Sequence, residues 1–578
     1  MKGKGLLIAV AGIVTLAMSF AAFGSSGAAS AASSAFSSKA VRGGTLTVSY
    51  INDFATLDPA QWDDAQSLAA MQQIYDTLVE YKENSDQIGP GLAQSWTVSA
   101  DNLTYTFQLR NAVFSNGHPV TAQDVDFSLS RVCQPGANSP YAGFSYSDIV
   151  GYSQLQQEPK TSAAYTSWNS KPMLLSGIKV LGPHSLSITL VHPEAYFLND
   201  LALYVGAITD PAVVAKYGPQ DKNNAYEEHA LGTGPFKLQS WVHNQKLTLV
   251  ANPKYWGPKP YLAKVVFLVG LSDQTQEEMF QKGQIQIIEE PDTAVYQYAM
   301  ANPTLAKDYH TAPMNWVLYG YFDCSKPPFN NVYLRQALNY ALDKPELIKV
   351  AVGGRGVVPS DGVLPPGMPA YQNTTEPYPY NVAKAKQLLA KAGYANGLSF
   401  KFYIPADTQD QSMADVIQQD WKQIGVNIQI VPVSTSIYWT QASPPATGGP
   451  QTSYDAGDAG WMQDYPDPSD FFSNLLTGSP APGSASQIVY ASSNEANYNN
   501  TQVDQLVNEA NTLPPSQDQK RWQLYDQAQK IVEQEAPWLF EYFSLQDALV
   551  YPTVGPSNLN LYLHPIKQMQ LQYVWVGK

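Results

Sequence analysis

The sequence predicts a mixed α/β protein of several domains, on three observations. The chain has 578 residues, too many for one hydrophobic core. Period-two and helical hydrophobic patterns follow one another along most of its length. Its composition, 44% hydrophobic and 14% charged, is that of a foldable chain rich in tyrosine and poor in lysine and arginine.

The first folded element is "TLTVSY", where Leu46, Val48 and Tyr50 alternate as in a strand. "SLAAMQQIYDTLVEY" places Leu68, Met71, Ile74 and Leu78 on one stripe and predicts a helix through this segment. "LTYTFQL" alternates again. "TAQDVDFSLSRV" opens with Thr121 and Asp124 at capping-box spacing and continues as a helix. "HSLSITLV" and "KLTLV" read as strands. In the second half, "NVAKAKQLLAKAGY" is a helix with Asn381 as its N-cap and Gly393 as its stop. "MADVIQQDWKQIGVNIQIVPV" is a helix ended by Gly425 and followed directly by a strand. "TQVDQLVNEA" and "QKRWQLYDQAQKIVEQEA" are late helices. Residues 134–172 and "SPPATGGPQTS" read as loops, and no fixed-period repeat occurs.

The N-terminus has its own pattern. Lys2 and Lys4 precede an uncharged run from Leu6 to Phe23 and a small-residue tract containing Ala29-Ser30-Ala31. This order predicts a secretory signal over 1–31, with an uncleaved anchor as the alternative. Cleavage removes two positive charges and takes the formal charge from −15 to −17. That balance argues against nucleic acid, which requires a basic stripe. Only two cysteines exist, Cys133 and Cys324, and neither follows the apolar run, so no lipid-anchoring cysteine is expected.

The usual signs of catalysis are missing. The seven histidines, among them His564, are scattered and form no H-E-x-x-H pair. There is no C-x-x-C, P-loop or Gly-x-Ser-x-Gly, so no metal or cofactor is expected. "GGRG" at 353–356 reads as a turn, and Glu289-Glu290-Pro291 as a solvated loop. A dispersed carboxylate pair, as in glycosidases, stays open.

"GWMQDYPDPSDFF" places three aspartates within the seven residues 464–470. Asp467 as N-cap, Pro468 at the first helical position and Asp470 two residues on would account for two of them by a helix start. Asp464, between Trp461 and Tyr465, is left as either a turn residue or a site.

Taken together, several segments resemble a known family in family order. They are "GGTLTVSYINDFATLDPAQ", "IYDTLVEY", "GLAQSWTVSADNLTYTFQLRNAVFSNGHPVTAQDVDFSLSR", "LGTGPFKLQSW", "NPKYWG", "LRQALNYALDKPELI", "NVAKAKQLLAKAGY" and "GWMQDYPDPSDFF". On these the chain resembles the extracytoplasmic solute-binding proteins of the peptide/nickel ABC-importer class, which include the oligopeptide- and dipeptide-binding proteins.

The resemblance implies a periplasmic-binding-protein-like fold of class II, with two lobes, a hinge and an interlobe cleft. Lobe one would comprise domain I (43–85, 196–311 and 547–578) and domain II (86–195); lobe two would be domain III (312–546), after a linker at 32–42. The two cysteines then fall in different lobes, where a disulfide would restrict opening, so free thiols are expected. Asp464 matches the aspartate that holds a peptide's N-terminal ammonium in relatives. Trp461 and Tyr465 either line the same wall or pack in lobe two, and "INDFATLDP" adds Asn52 and Phe54 as contact candidates. The implied role is non-catalytic: a monomer outside the cytoplasm that passes peptides to ABC permease subunits. An oligosaccharide, metal chelate or opine-like solute in the same fold is an alternative. A secreted hydrolase using Asp464 with Glu289 or Glu290 is another, from a different class.

Overall fold

The computed structural model describes residues 40–577, apart from 63, 83–84, 219–224, 361, 374–375, 445–452, 481–487, 492 and 557–568. The predicted signal segment, most of the linker, the centre of "SPPATGGPQTS", His564 and part of the C-terminal return therefore lie outside the described residues.

An 11-stranded sheet runs through both lobes. Its order from lobe two to lobe one is Val426–Val433, Leu398–Pro405, Ala456–Met462, Tyr309–Phe322, Trp538–Val550, Ile287–Glu289, Thr45–Ser49, Lys264–Leu268, Lys246–Ala251 and Phe236–Val242, with the short strand Gly356–Val357 on Trp538–Val550. The two long strands, Tyr309–Phe322 and Trp538–Val550, pair antiparallel and carry the chain between lobes. Their register slips twice, once between Pro313 and Val317 and once between Leu318 and Tyr319. Such bulges bend a strand and concentrate its twist, which suits a crossing between two bodies. A separate four-stranded antiparallel sheet is formed by Ala93–Val98, Thr104–Leu109, Ser185–Thr189 and Ile178–Gly182.

The alternation read from the sequence decides which faces are buried. Leu46 and Val48 are inaccessible to solvent in their strand, as are Met413, Ile417 and Trp421 along the helix Thr408–Lys422. Asn381 accepts from the Lys384 amide at 2.9 Å, and Gly393 takes φ +94° where that helix ends. Asp124 accepts from the Thr121 amide at 2.8 Å.

Three sequence expectations are corrected. The helix expected to run to Tyr81 stops at Ile74, and Val79–Tyr81 is a strand. Asp76 turns the chain there: buried, it accepts from the Thr233 hydroxyl at 2.6 Å and from the Trp256 indole at 2.7 Å. "GTGPF" packs backbone to backbone against this turn, since a Cβ at Gly232 would lie 2.4 Å from the Ile74 carbonyl oxygen. Residues 134–172 are not plain loop but contain the short helices Ala142–Tyr146, Tyr152–Leu155 and Ala163–Thr166. Glu289 is not solvated: it ends a sheet strand, is buried and accepts from the Tyr50 hydroxyl. Burial raises its carboxyl to about 8.

Both cysteines are free. Gly353 and Gly354, at φ +64° and +93°, form the turn that ends Lys344–Val352, as "GGRG" suggested.

Candidate ligand site between the lobes

The strand Ala456–Met462 pairs with Tyr309–Phe322 from Ala456 opposite Phe322 to Met462 opposite Trp316. The chain then leaves the sheet. The Gln463 amide donates to the Asn315 carbonyl at 2.9 Å, and the Asp464 amide donates to the Asp470 carboxylate at 2.8 Å. Asp470 thus holds the loop that presents Asp464.

The helix that follows is Ser469–Leu475, with Pro468 as its cap residue, one position later than the sequence predicts. Asp467 still accepts from the Ser469 amide at 3.0 Å, but it also pairs with Arg521 at 2.8 Å, both side chains being buried. This pair ties the loop to the long helix Asp518–Glu535. Two of the three aspartates therefore build the loop, and Asp464 is the one it presents.

Asp464 faces lobe one. Its carboxylate accepts from the Tyr141 hydroxyl at 2.9 Å. The Tyr141 ring lies flat on Trp62, with centroids 4.7 Å apart and planes 9° apart. Burial raises the Asp464 carboxyl to about 7, and the Tyr141 hydrogen bond opposes that shift. Asp464 also lines a small cavity of about 30 Å³ with Trp62, Gln72, Glu80 and Tyr204 of lobe one. Two carboxylates, Asp464 and Glu80, thus reach one small cavity whose other walls include Trp62, Leu68, Ala202 and Leu203, and paired carboxylates in such a setting favour a cation.

The other predicted residues are placed differently. Tyr465 is 2% exposed; its ring stacks on Tyr196 at 5.4 Å and tilts against Phe144 at 5.6 Å, so it packs the lobes together. Trp461 is half-buried against the lobe-two core. Phe54 is buried among Tyr50, Phe267 and Trp241 in the lobe-one core, a packing position. Asn52 is exposed, and its carbonyl accepts from Gln66 at 3.2 Å. Neither of these two lines the cavity at Asp464. Asp58 of "LDP" forms a buried two-pronged pair with Arg131, 2.8 Å on one side, which fastens the early segment to the helix Ala122–Val132.

Tyr141 is the contact that sequence reasoning missed. It lies in the patternless stretch after Cys133, whose one visible signal is its aromatic density: Tyr141, Phe144, Tyr146, Tyr152, Tyr165 and Trp168.

A larger cavity of about 650 Å³ spans the crossing strands, from Glu290–Ala294 on lobe one to Thr408 and Gln409 on lobe two. It shares Trp316 and Gln409 with a third cavity of about 300 Å³ that runs along Asp458–Gly460. No group of metal-ligating side chains occurs among the described residues, and no helix among them is long and apolar enough to cross a membrane.

Two lobes joined by crossing strands, with cavities between them, are the architecture of a solute-binding protein of the periplasmic type. Residues 87–483 match the family described as bacterial extracellular solute-binding proteins, family 5. The chain is 33% identical to heme-binding protein A of Haemophilus influenzae over 82% of each chain. It is 30% identical to the dipeptide-binding protein of Escherichia coli K12, over 82% of this chain and 84% of that one. Among solved structures it resembles the periplasmic binding protein DppA of Helicobacter pylori in complex with the peptide STSA, with a TM-score of 0.71, 26% identity, and coverage of 93% of this chain and 99% of that one. The chain belongs to the family 5 extracellular solute-binding proteins.

Proposed function

We propose that this protein captures short peptides with a free N-terminus outside the cytoplasm and passes them to the permease of an ABC importer. The observation that carries this reading is Asp464: a carboxylate on a braced loop, half-shielded from solvent, facing lobe one beside Glu80. An N-terminal ammonium there would make a charge-assisted hydrogen bond, stronger than a neutral one. A ligand lacking the cation would leave the carboxylate buried and unpaired. The peptide main chain could then run along Ala456–Met462, so that backbone groups supply affinity with little demand on side-chain identity. On this reading the bodies that move are those divided at 312 and 546, with domain II lying within 86–195. Two similar proteins, a dipeptide-binding protein and a DppA solved with a bound peptide, support the class of ligand.

Heme, named for the Haemophilus relative, fits these walls less well. Heme is an anion with two carboxylates, and a site that offers Asp464 and Glu80 repels such a charge when those groups are ionised. Native mass spectrometry of the mature protein as purified, followed by gentle denaturation, tests the proposal. A heterogeneous set of short peptides is the expected release. A single sugar, chelate or opine would remove the case for Asp464 as the ammonium anchor.

A further inference from the structure

Three consecutive residues of lobe one, Glu194, Ala195 and Tyr196, meet lobe two. The Ala195 amide donates to the Asn511 carbonyl, on the helix Thr501–Thr512, at 2.8 Å. The Tyr196 ring stacks on Tyr465 at 5.4 Å, with planes 13° apart. Glu194 lines a cavity of about 340 Å³ beside these contacts, with Asp148 and His192 on the lobe-one side and Asn508, Asn511 and Thr512 on the lobe-two side. This cavity shares no lining residue with the one at Asp464 or with the two along the crossing strands.

Glu194 is 7% exposed, and its Oε2 has no hydrogen-bond partner among the described residues. The Tyr196 hydroxyl bonds the same carboxyl, so the side chain that stacks across the seam also holds Glu194. No lysine or arginine lines the cavity among the described residues. His192, 60% exposed, is paired with Asp148 at 3.2 Å. Behind Glu194, Asp200 ends the helix Phe197–Asp200, is inaccessible to solvent, and feels the charges of Asp470 and Asp467 from lobe two. From the neighbouring strand Thr104–Leu109, the Tyr105 hydroxyl donates to the Glu194 carbonyl at 3.3 Å. From lobe two, Tyr525 lies near Tyr196, and Glu509 of Thr501–Thr512 is paired with Lys520 at 2.8 Å. Burial and then the Asp148 charge raise the Glu194 carboxyl well above its usual range, and the Tyr196 bond opposes them.

We infer that Glu194 is a pH-sensitive latch on the seam between the lobes: protonated, it lets the lobes close over it, and ionised, it holds them apart. The latch concerns the motion of the lobes and stands whatever solute the cleft takes. An ionised carboxylate shut in beside Asp148, with one oxygen unbonded, is far costlier than a neutral carboxyl. Parting the contacts at Ala195 and Tyr196 opens this side of the cavity to water, which solvates the anion. Closing therefore takes up a proton. The carboxyl is raised in the closed state, so its contribution to closure is full below its open-state value, about 4.3. That contribution is lost as pH rises through the closed-state value.

The test is small-angle X-ray scattering of the ligand-free protein from pH 5 to 9, which reads lobe opening as the radius of gyration. Near-UV circular dichroism confirms that each sample is folded. The native protein should expand as pH rises. Glu194→Gln keeps the shape of the neutral carboxyl and cannot ionise, so it should show less than about a third of that expansion. Asp148→Asn removes a negative charge beside Glu194, which then ionises more readily, and the midpoint of expansion should fall by ~0.5 pH unit or more. This second variant decides the matter should Glu194→Gln fail to fold. Asp464→Asn should keep most of the native expansion; its loss there would assign the response to Asp464 and overturn the latch. A native radius that does not change with pH also overturns it, as does a Glu194→Gln variant that expands like the native protein, or an Asp148→Asn midpoint that stays or rises.

Discussion

Asp464 can be recognised because its neighbours are explained. Asp467 is paired with Arg521 and Asp470 holds the Asp464 amide, which leaves one carboxylate directed across the cleft. Replacing Asp464 with Ala should weaken binding of free-N-terminus peptides by about 2 kcal/mol or more, since it strips one partner from a shielded charge pair; calorimetry reads this directly. The pH dependence follows from the same carboxyl. Unliganded, it titrates at about 7, and an ammonium favours its ionised form, so binding below that pH must expel a proton. Affinity should therefore rise from pH 5 to about 7.5. It should fall again above about 8, where a free α-amine loses its charge. A flat profile over that range would exclude the carboxylate–ammonium contact.

At the scale of elements, the helices and strands with strong periodicity were legible, and the segments that complete the cleft were not. Asn381, Gly393 and the Met413–Trp421 stripe did what local propensity says they should. The helix end at Ile74 was hidden because Leu78 continues the apolar stripe, whereas the turn depends on Thr233 and Trp256, more than 150 residues away. Burial of Glu289 was hidden for the same reason, since its partner Tyr50 comes from another strand. Tyr141 was unreadable because the stretch 134–172 folds as short helices held by aromatic contacts rather than by a repeating pattern. Tyr141→Phe should cost about 1 kcal/mol of peptide affinity, the size of one hydrogen bond, and move the Asp464 titration upward, because the hydroxyl lowers it. Carboxyl titration followed by NMR would show that shift. Arg521→Ala should destabilise lobe two by about 3 kcal/mol by leaving Asp467 buried alone; urea unfolding measures it.

At the scale of the molecule, the fold spends stability on acid. Glu289 and Glu495 titrate at about 8, Asp76 and Asp464 at about 7, and Asp410 at about 9, each raised chiefly by burial. A carboxyl raised in the folded state holds its proton better folded than unfolded. Its contribution is present in full below its unfolded value, near 4, and is lost as pH rises through 7 to 9. The ligand-free protein should therefore melt at a higher temperature at pH 5.5 than at pH 8.5, and a cationic ligand should recover part of the loss at the higher pH; scanning calorimetry checks both. The lobes meet where Tyr465 lies against Tyr196 and Phe144, and where the Ala195 amide donates to the Asn511 carbonyl at 2.8 Å. Tyr465 follows Asp464 on the same loop, so these contacts between the lobes adjoin the carboxylate. The most direct test is a calorimetric comparison of one tetrapeptide, free and N-acetylated, on the native protein at pH 7.5. The account predicts that the free form binds at least 30-fold tighter, the equivalent of about 2 kcal/mol. Equal affinities would contradict the claim that Asp464 anchors the ligand by its ammonium.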